Sequence, residues 1–199
     1  MNTLQQYSHD LKAALDKLDY ETLEILSQNL FDLWRSRRRL FICGNGGSAG
    51  NAIHIANDFT YGINPHGLAL DVEALPANPA VMTCLANDIG YQNAFSHQLK
   101  VKAQSGDILI VLSGSGNSPN IVKALRQAKL MGVTSFAIVG FDGGEAKHLA
   151  DYAIHVDLND MQIAEDIQVI IGHMMMKSLF KTISDYQKVP LEQLSKKAR

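Results

Sequence analysis

Short, continuously apolar segments alternate with helical stretches along most of this sequence, and this alternation constrains the fold more than any other feature. The clearest apolar segment is Asp107–Ser113, which lies between Gly106 and Gly114 and precedes a helical stretch over residues 118–131. Strands that are apolar on both faces and separated by helices are typical of βαβ units. The sequence therefore predicts an α/β fold, with a mainly parallel sheet covered by helices on both faces.

The remaining elements continue the alternation. The other predicted strands are Leu40–Cys43, Leu68–Val72, Thr134–Val139 and Tyr152–Val156. A weaker apolar segment, Val81–Leu85, is open to interpretation as a strand or as the start of a helix. The other predicted helices cover residues 48–61, 144–150 and 162–185.

Residues 4–34 carry an apolar stripe at helical spacing, and no strand precedes them. We expect this N-terminal helix to pack outside the sheet or against another subunit. With 199 residues and no internal repeat, the chain is predicted to form one domain. We divide it into a helical extension (1–37), a core (38–186) and a solvated tail (187–199).

Charge and composition exclude several classes of partner. The net charge is −2, and no basic run exceeds Arg35–Arg39, so neither a nucleic-acid surface nor a polybasic membrane anchor is expected. We see no secretory signal and no apolar segment long enough to span a membrane. Cys43 and Cys84 both lie in apolar segments and are expected to be buried, reduced thiols. These features are typical of a cytoplasmic protein that handles small metabolites.

Two turns carry unusual chemistry: Cys43–Ser48 (CGNGGS), called the first turn below, and Ser113–Ser118 (SGSGNS), called the second turn. Each follows a predicted parallel strand and opens a helix, which is where open α/β sheets bind ligands. Glycines bring backbone N–H groups close to an anion, and the helix N-terminus attracts negative charge. The alternative is a purely structural role, in which both segments are tight turns with N-caps. Because neither turn contains the lysine of a Walker motif or matches G-x-G-x-x-G, a sugar monophosphate is favoured over a nucleotide.

Four segments occur in order: CGNGGSAGNAIHIANDF, CLANDIGYQNAFSHQL, GDILIVLSGSGNSPNIVKAL and GFDGGEAKHLADYAIHV. Through them the chain resembles the phosphoheptose isomerases of the sugar isomerase (SIS) class. Those enzymes interconvert sedoheptulose 7-phosphate and a D-glycero-manno-heptose 7-phosphate. The resemblance implies a three-layer α/β/α fold with a five-stranded sheet and a homotetramer with active sites between subunits. It also implies zinc, or another divalent metal, in some members.

The resemblance also implies which residues contact the sugar phosphate. They are Asn45, Gly46, Gly47, Ser48, Asn87, Asp88, Ser113, Gly114, Ser115, Ser118 and Glu165. The segments that carry acid, base and metal function in the family correspond to His54–Asp58 and Glu165–His173.

Helical spacing adds to this candidate set. His54 and Asp58 are four residues apart and share one helix face, whereas Glu165 and His173 lie about 80° apart around the last helix. We predict Asp58 as the base that takes a carbon-bound proton and His173 as the acid and base for the oxygen protons. His54, Asp58, Glu165 and His173 are the candidate metal ligands, and Glu165 either orients the substrate or binds the metal. The alternatives are purely structural roles: His173 would be a core histidine, and the acidic residues at 165 and 166 would stabilise the start of the helix.

Three positions depart from the isomerase pattern. Asp58 stands where the family usually has Glu, Glu165 where it usually has Gln, and Gly114 where it usually has Thr. Two carboxylates without a cation repel each other, so Glu165 favours metal binding but weakens the Lewis acidity of the metal. Asp58 is one methylene shorter, which changes the reach of the base.

Two function classes therefore stay open. The first is a ketose–aldose phosphosugar isomerase that feeds nucleotide-heptose or surface-polysaccharide synthesis. The second is a non-catalytic SIS module, either a scaffold of the type that binds a replication initiator or a sugar-phosphate sensor. A dinucleotide-dependent oxidoreductase is disfavoured because no G-x-G-x-x-G turn follows any strand.

Overall fold

A computed structural model of the protein describes residues 2–188. Its centre is a five-stranded, wholly parallel sheet in the order β2-β1-β3-β4-β5. The strands are β1 (Arg39–Gly44), β2 (Asp71–Ala74), β3 (Ile108–Ser113), β4 (Thr134–Val139) and β5 (Tyr152–His155). The helices are α1 (Thr3–Leu15), α2 (Tyr20–Ser36), α3 (Gly47–Tyr61), α4 (Pro79–Ile89), α5 (Ala94–Lys102), α6 (Pro119–Met131), α7 (Gly144–Leu149) and α8 (Met161–Lys188).

Both faces of the sheet are covered, as the apolar strands predict. Alternate side chains of β3 point to opposite faces, so Ile108 and Ile110 join one buried cluster while Leu109 and Val111 join another. The first cluster packs against α1, α2, α3 and α8, and the second against α5, α6 and α7. The three-layer α/β/α prediction is therefore confirmed.

Local differences from the predicted elements have identifiable causes. The N-terminal helix is two helices, because Asp19 caps a second one by accepting hydrogen bonds from the N–H groups of Glu21 and Thr22. Strand β2 starts at Asp71 instead of Leu68, which is 69% exposed. The ambiguous segment at Val81–Leu85 is helical, within α4.

Helix α5 was not predicted; it follows α4 and packs against α6. Cys43 is buried, but Cys84 is exposed on α4, so the prediction that both thiols are buried is wrong for Cys84. Only one side of α4 packs against the rest of the protein, and such a helix exposes some of its apolar positions, which explains the exposure of Cys84. Among residues 2–188, no helix is long and apolar enough to cross a membrane. Of the predicted tail, residues 189–199 lie outside the described part of the chain, and residues 187 and 188 belong to α8.

Candidate active site

The two glycine- and serine-rich turns lie side by side at the carboxyl edge of the sheet. Strand β1 pairs directly with β3, with Gly44 opposite Leu112, so the turns that follow these strands are neighbours. Between them is a cavity of about 250 Å³. Its lining consists of Asn45, Gly46, Ser48, Leu112, Ser113, Gly114, Ser115, Ser118, Met161 and Glu165.

The first turn leads directly into α3. Gly46, at the N-cap, has φ of 55°, a left-handed conformation that favours glycine, and no side chain caps the helix. The first N–H groups of a helix have no partner within it. The N–H groups that follow Gly46 therefore lack partners within the helix, and the positive end of α3 that they form lies at the cavity. This helix end suits an anion.

The second turn is held in shape by its own serines. Ser113 Oγ accepts a hydrogen bond from the N–H of Gly116 at 3.0 Å, and Ser115 Oγ accepts one from the N–H of Asn117 at 3.3 Å. Ser118 is the N-cap of α6, yet among residues 2–188 its side chain makes no capping hydrogen bond. Its hydroxyl is therefore available to a ligand in the cavity.

A pair of amides joins the first turn to the start of α6, which directly follows the second turn. Asn45 Nδ2 donates to Asn120 Oδ1 at 2.9 Å, and Asn120 Nδ2 donates back to Asn45 Oδ1 at 2.8 Å. The hydroxyl of Tyr91 also donates to Asn45 Oδ1, at 2.7 Å. Asn120 and Tyr91 were not among the predicted site residues. Tyr91 could have been found because it lies in the family-like segment after α4, whereas nothing in the sequence pairs Asn120 with Asn45.

A methionine occupies the space that a side chain at position 114 would need. A Cβ built on Gly114 would meet Met161, with Cε at 2.9 Å, and would lie 3.6 Å from Cε2 of Phe141. The Gly114 departure and Met161 are therefore complementary, because a threonine at 114 would require Met161 to move.

The carboxylate of Glu165 lies against the start of α3. A Cβ built on Gly47 would stand 2.6 Å from Oε1 of Glu165, so the carboxylate covers this part of the backbone. Glu165 also lines the cavity between the turns. Its negative charge therefore lies beside the region where the sequence predicts a phosphoryl group.

A second group of side chains lies further along α3 and α8. His54, Asp58 and His173 each offer one ligand atom, and these atoms all lie within 4.8 Å of one another. The two Nε2 atoms are 2.9 Å apart, and Asp58 Oδ2 is 3.6 Å from that of His54 and 3.4 Å from that of His173. Both imidazoles are about half exposed, and Asp58 is 17% exposed.

These separations fit a tetrahedral metal ion. Ligand atoms bound to Zn²⁺ at about 2.0–2.1 Å in a tetrahedron lie about 3.3 Å from one another. The three distances given above bracket that value. Three protein ligands that leave a fourth position open are also the usual set of a catalytic zinc site.

Glu165 is not part of this group of side chains in the single chain, so its place among the metal ligands stays a prediction. Eight residues separate Glu165 from His173, and this spacing corresponds to ~12 Å along a helix axis. The angle of about 80° between the two residues around the helix axis does not include this separation along the axis. Glu165 thus lies with the two turns, and His173 with the imidazole–carboxylate group.

Helices α3 and α8 run side by side and connect the two parts of the site. Gly47 contacts Glu165 at one end, Asn51 Nδ2 donates to the carbonyl of Glu165 at 2.9 Å, and Gly172 contacts Ile55 further along. From Ser48 to His54 the axial rise is ~9 Å. The cavity and the His54–Asp58–His173 group are therefore two ends of one stretch of helix surface.

Two other predicted contacts lie apart from the cavity. Asn87 and Asp88 are exposed at the end of α4, where Asn87 Nδ2 donates to Asp88 Oδ1 at 2.8 Å. Neither lines the cavity between the turns.

The sheet and its two turns define a class of protein. Residues 6–140 match the family model of the SIS domain, and the chain belongs to the SIS domain family. Within that family it is similar to phosphoheptose isomerases over most of its length. The one from Sulfurimonas denitrificans is 37% identical over 163 residues, which cover 81% of this chain and 83% of that protein. The one from Fusobacterium nucleatum is 31% identical over 183 residues, 90% of this chain and 94% of that protein.

A solved structure supports the same relationship. The phosphoheptose isomerase of Neisseria gonorrhoeae superposes with a TM-score of 0.81 at 25% identity, over 88% of this chain and 96% of that one. The family resemblance stated from the sequence is thus confirmed.

Proposed function

We propose that this chain is a ketose–aldose isomerase that interconverts sedoheptulose 7-phosphate and D-glycero-manno-heptose 7-phosphate. The observation that carries the proposal is the carboxylate of Asp58 between two imidazoles, on the same helix that begins at the first turn. An isomerase of this kind needs an anion site at one end of the sugar and proton-transfer groups at the other. The relatives named phosphoheptose isomerase support the choice of a heptose.

The phosphoryl group is held by the two turns. Unpaired N–H groups at the start of α3 and the hydroxyls of Ser48 and Ser118 donate to its oxygens. Glu165 accepts hydrogen bonds from sugar hydroxyls beside the phosphate. The family resemblance adds Asn87 and Asp88, in the last turn of α4, as further contacts to the substrate.

Asp58 and His173 move the protons. Asp58 removes a proton from C1 of the ketose while His173 gives a proton to the oxygen on C2, and an enediol results. His173 then takes the proton from the oxygen on C1, and Asp58 returns its proton to C2, which gives the aldose. Oδ2 of Asp58 faces both imidazoles, whereas Oδ1 accepts a long hydrogen bond of 3.5 Å from Nδ2 of Asn57 and is the oxygen that takes the carbon-bound proton.

As an alternative to proton transfer by His173, the side chains of His54, Asp58 and His173 would hold a divalent metal, zinc being the best fit to their separations. Such a metal would supply Lewis acidity close to the carbonyl of the substrate. The two Nε2 atoms, 2.9 Å apart, can also share one proton.

Deuterium exchange tests the proposal. The full chain is incubated with sedoheptulose 7-phosphate in deuterium oxide, and NMR follows deuterium at the exchanging carbon, with and without added zinc. We expect exchange in the wild type and in His66→Ala, which changes an exposed loop histidine. We expect none in Asp58→Asn or His173→Ala. Absence of exchange in the wild type under both conditions would instead indicate a non-catalytic sugar-phosphate-binding module.

We also propose a homotetramer with sites between subunits, located in the cytoplasm, where it supplies heptose for surface polysaccharides. Helix α4, with the apolar sequence PAVMTCLANDI, has no buried residue in the described part of the chain (2–188), so a second copy is the natural cover. Its neighbour Tyr91 contacts Asn45, so such an interface would border the active site. Light scattering on the purified chain would measure its molar mass in solution and so test the tetramer.

The free thiols of Cys43 and Cys84 support a reducing compartment.

A further inference from the structure

The loop between β4 and α7, together with the first turn of α7, supports the backbone of the second turn. The N–H of Gly140 donates to the carbonyl of Gly114 at 2.9 Å, and the N–H of Ala146 donates to that of Gly116 at 3.0 Å. Gly116 also lies so close to this loop that a Cβ built on it would meet the carbonyl carbon of Gly143 at 2.6 Å. Movement of the loop would therefore move the second turn.

Phe141 holds this loop in an unusual conformation. Its φ is 48°, in the left-handed region, which is rare for a bulky residue and persists only where the surroundings enforce it. Two hydrogen bonds enforce it here. The N–H of Phe141 donates to the carbonyl of Leu158 at 3.1 Å, and its own carbonyl lies 2.8 Å from Nε2 of His155.

The chemistry of these partners fixes the state of His155. A carbonyl only accepts hydrogen bonds, so Nε2 of His155 must carry the proton that it donates to Phe141. Nδ1 is then an acceptor, and Nζ of Lys147 lies 3.0 Å from it, in position to donate. His155 thus links β5, α7 and the strained residue of the loop, and it matches no part of the catalytic machinery.

We propose that His155 is a positioning residue for phosphate binding. By holding Phe141, it keeps the β4–α7 loop against the second turn, and so keeps the N–H and hydroxyl groups of that turn aimed at the phosphoryl group. Loss of His155 weakens the affinity for phosphate but leaves the proton-transfer groups of α3 and α8 in place. The inference rests on the proposed function only in taking a phosphoryl group as the ligand of the turn.

The test compares two substitutions in the full chain. His155→Leu removes both hydrogen bonds, whereas the amide of His155→Gln can donate to Phe141 and accept from Lys147. Calorimetry measures Kd for inorganic phosphate, and an isomerisation assay measures KM and kcat for sedoheptulose 7-phosphate. For His155→Leu we expect Kd and KM to rise about tenfold while kcat stays within about twofold. For His155→Gln we expect both constants to return to within about threefold of the wild type.

Four results would overturn the inference. They are an unchanged Kd in His155→Leu, equal weakening in both variants, a loss confined to kcat, and no phosphate binding by the wild type. If His155→Leu does not fold, Lys147→Met takes its place, with an expected rise in Kd of about threefold. If the chain has no isomerase activity but its phosphate binding weakens in the variants as expected, the proposed reaction is wrong and the role of His155 in phosphate binding is still supported.

Discussion

Gly116→Ala is the substitution that most sharply tests the described shape of the second turn. Gly116 has φ of 68°, a conformation that costs a residue with a Cβ about 1–2 kcal/mol. The new methyl group would also stand 2.6 Å from the carbonyl carbon and 3.1 Å from the N atom of the next residue in the facing loop. Because these are backbone atoms, relief requires the loop to move, which adds about 1–3 kcal/mol.

The expected loss in the free energy of unfolding is therefore about 2–5 kcal/mol. Gly50→Ala is the matched control, since Gly50 lies in α3 and a Cβ there would meet nothing within 4 Å. It should stabilise the protein by about 0.5–1 kcal/mol through helix propensity. Urea unfolding followed by circular dichroism measures both variants. A Gly116→Ala protein within about 0.5 kcal/mol of the wild type would refute the described contact between the turn and the loop.

Three further predictions concern charge, pH and thiol reactivity. Glu165→Gln should tighten the binding of inorganic phosphate about fivefold in calorimetry, because Glu165 lines the cavity and removal of a like charge there gains on the order of 1 kcal/mol. Weaker binding would contradict this. The hydrogen bond from Tyr7 to Asp166 raises the pKa of Tyr7 to about 12, so its stabilising effect is complete below pH 10 and fades as the pH rises towards 12. Urea midpoints should fall over that interval more in the wild type than in Tyr7→Phe, and parallel curves would count against the bond. Mass spectrometry after alkylation should find Cys43 modified only after unfolding, because burial raises the pKa of Cys43 and shields the thiol; modification of Cys43 in the native protein would contradict its burial.

The central strands were predictable because they are buried on both faces. β1, β3 and β4 are continuous apolar runs that end at a glycine or at the turn itself, and their predicted bounds agree with the structure to within one or two residues. Strand β2 is an edge strand with one fully buried residue, Ala74, so its pattern is weak and the prediction started too early. The short α5 lacks the strong periodicity of α6 and was missed.

The candidate site was predictable in its parts and less so in its arrangement. Spacing within α3 placed His54 and Asp58 on one face, and the structure brings both together with His173. That meeting depends on how α8 packs along α3, which residue spacing in either helix does not reveal. The same packing places the carboxylate of Glu165 beside Gly47, which the spacing of residues within α8 does not reveal either.

A crystal structure with sedoheptulose 7-phosphate bound would test the account most directly. We predict the phosphoryl group between the first and second turns, in contact with Ser48 and Ser118. We predict C1 and C2 of the sugar beside Asp58 and His173 of the same chain or of a neighbouring subunit. A phosphoryl group bound outside the cavity between the turns, or a C1–C2 bond out of reach of both side chains, would contradict the account.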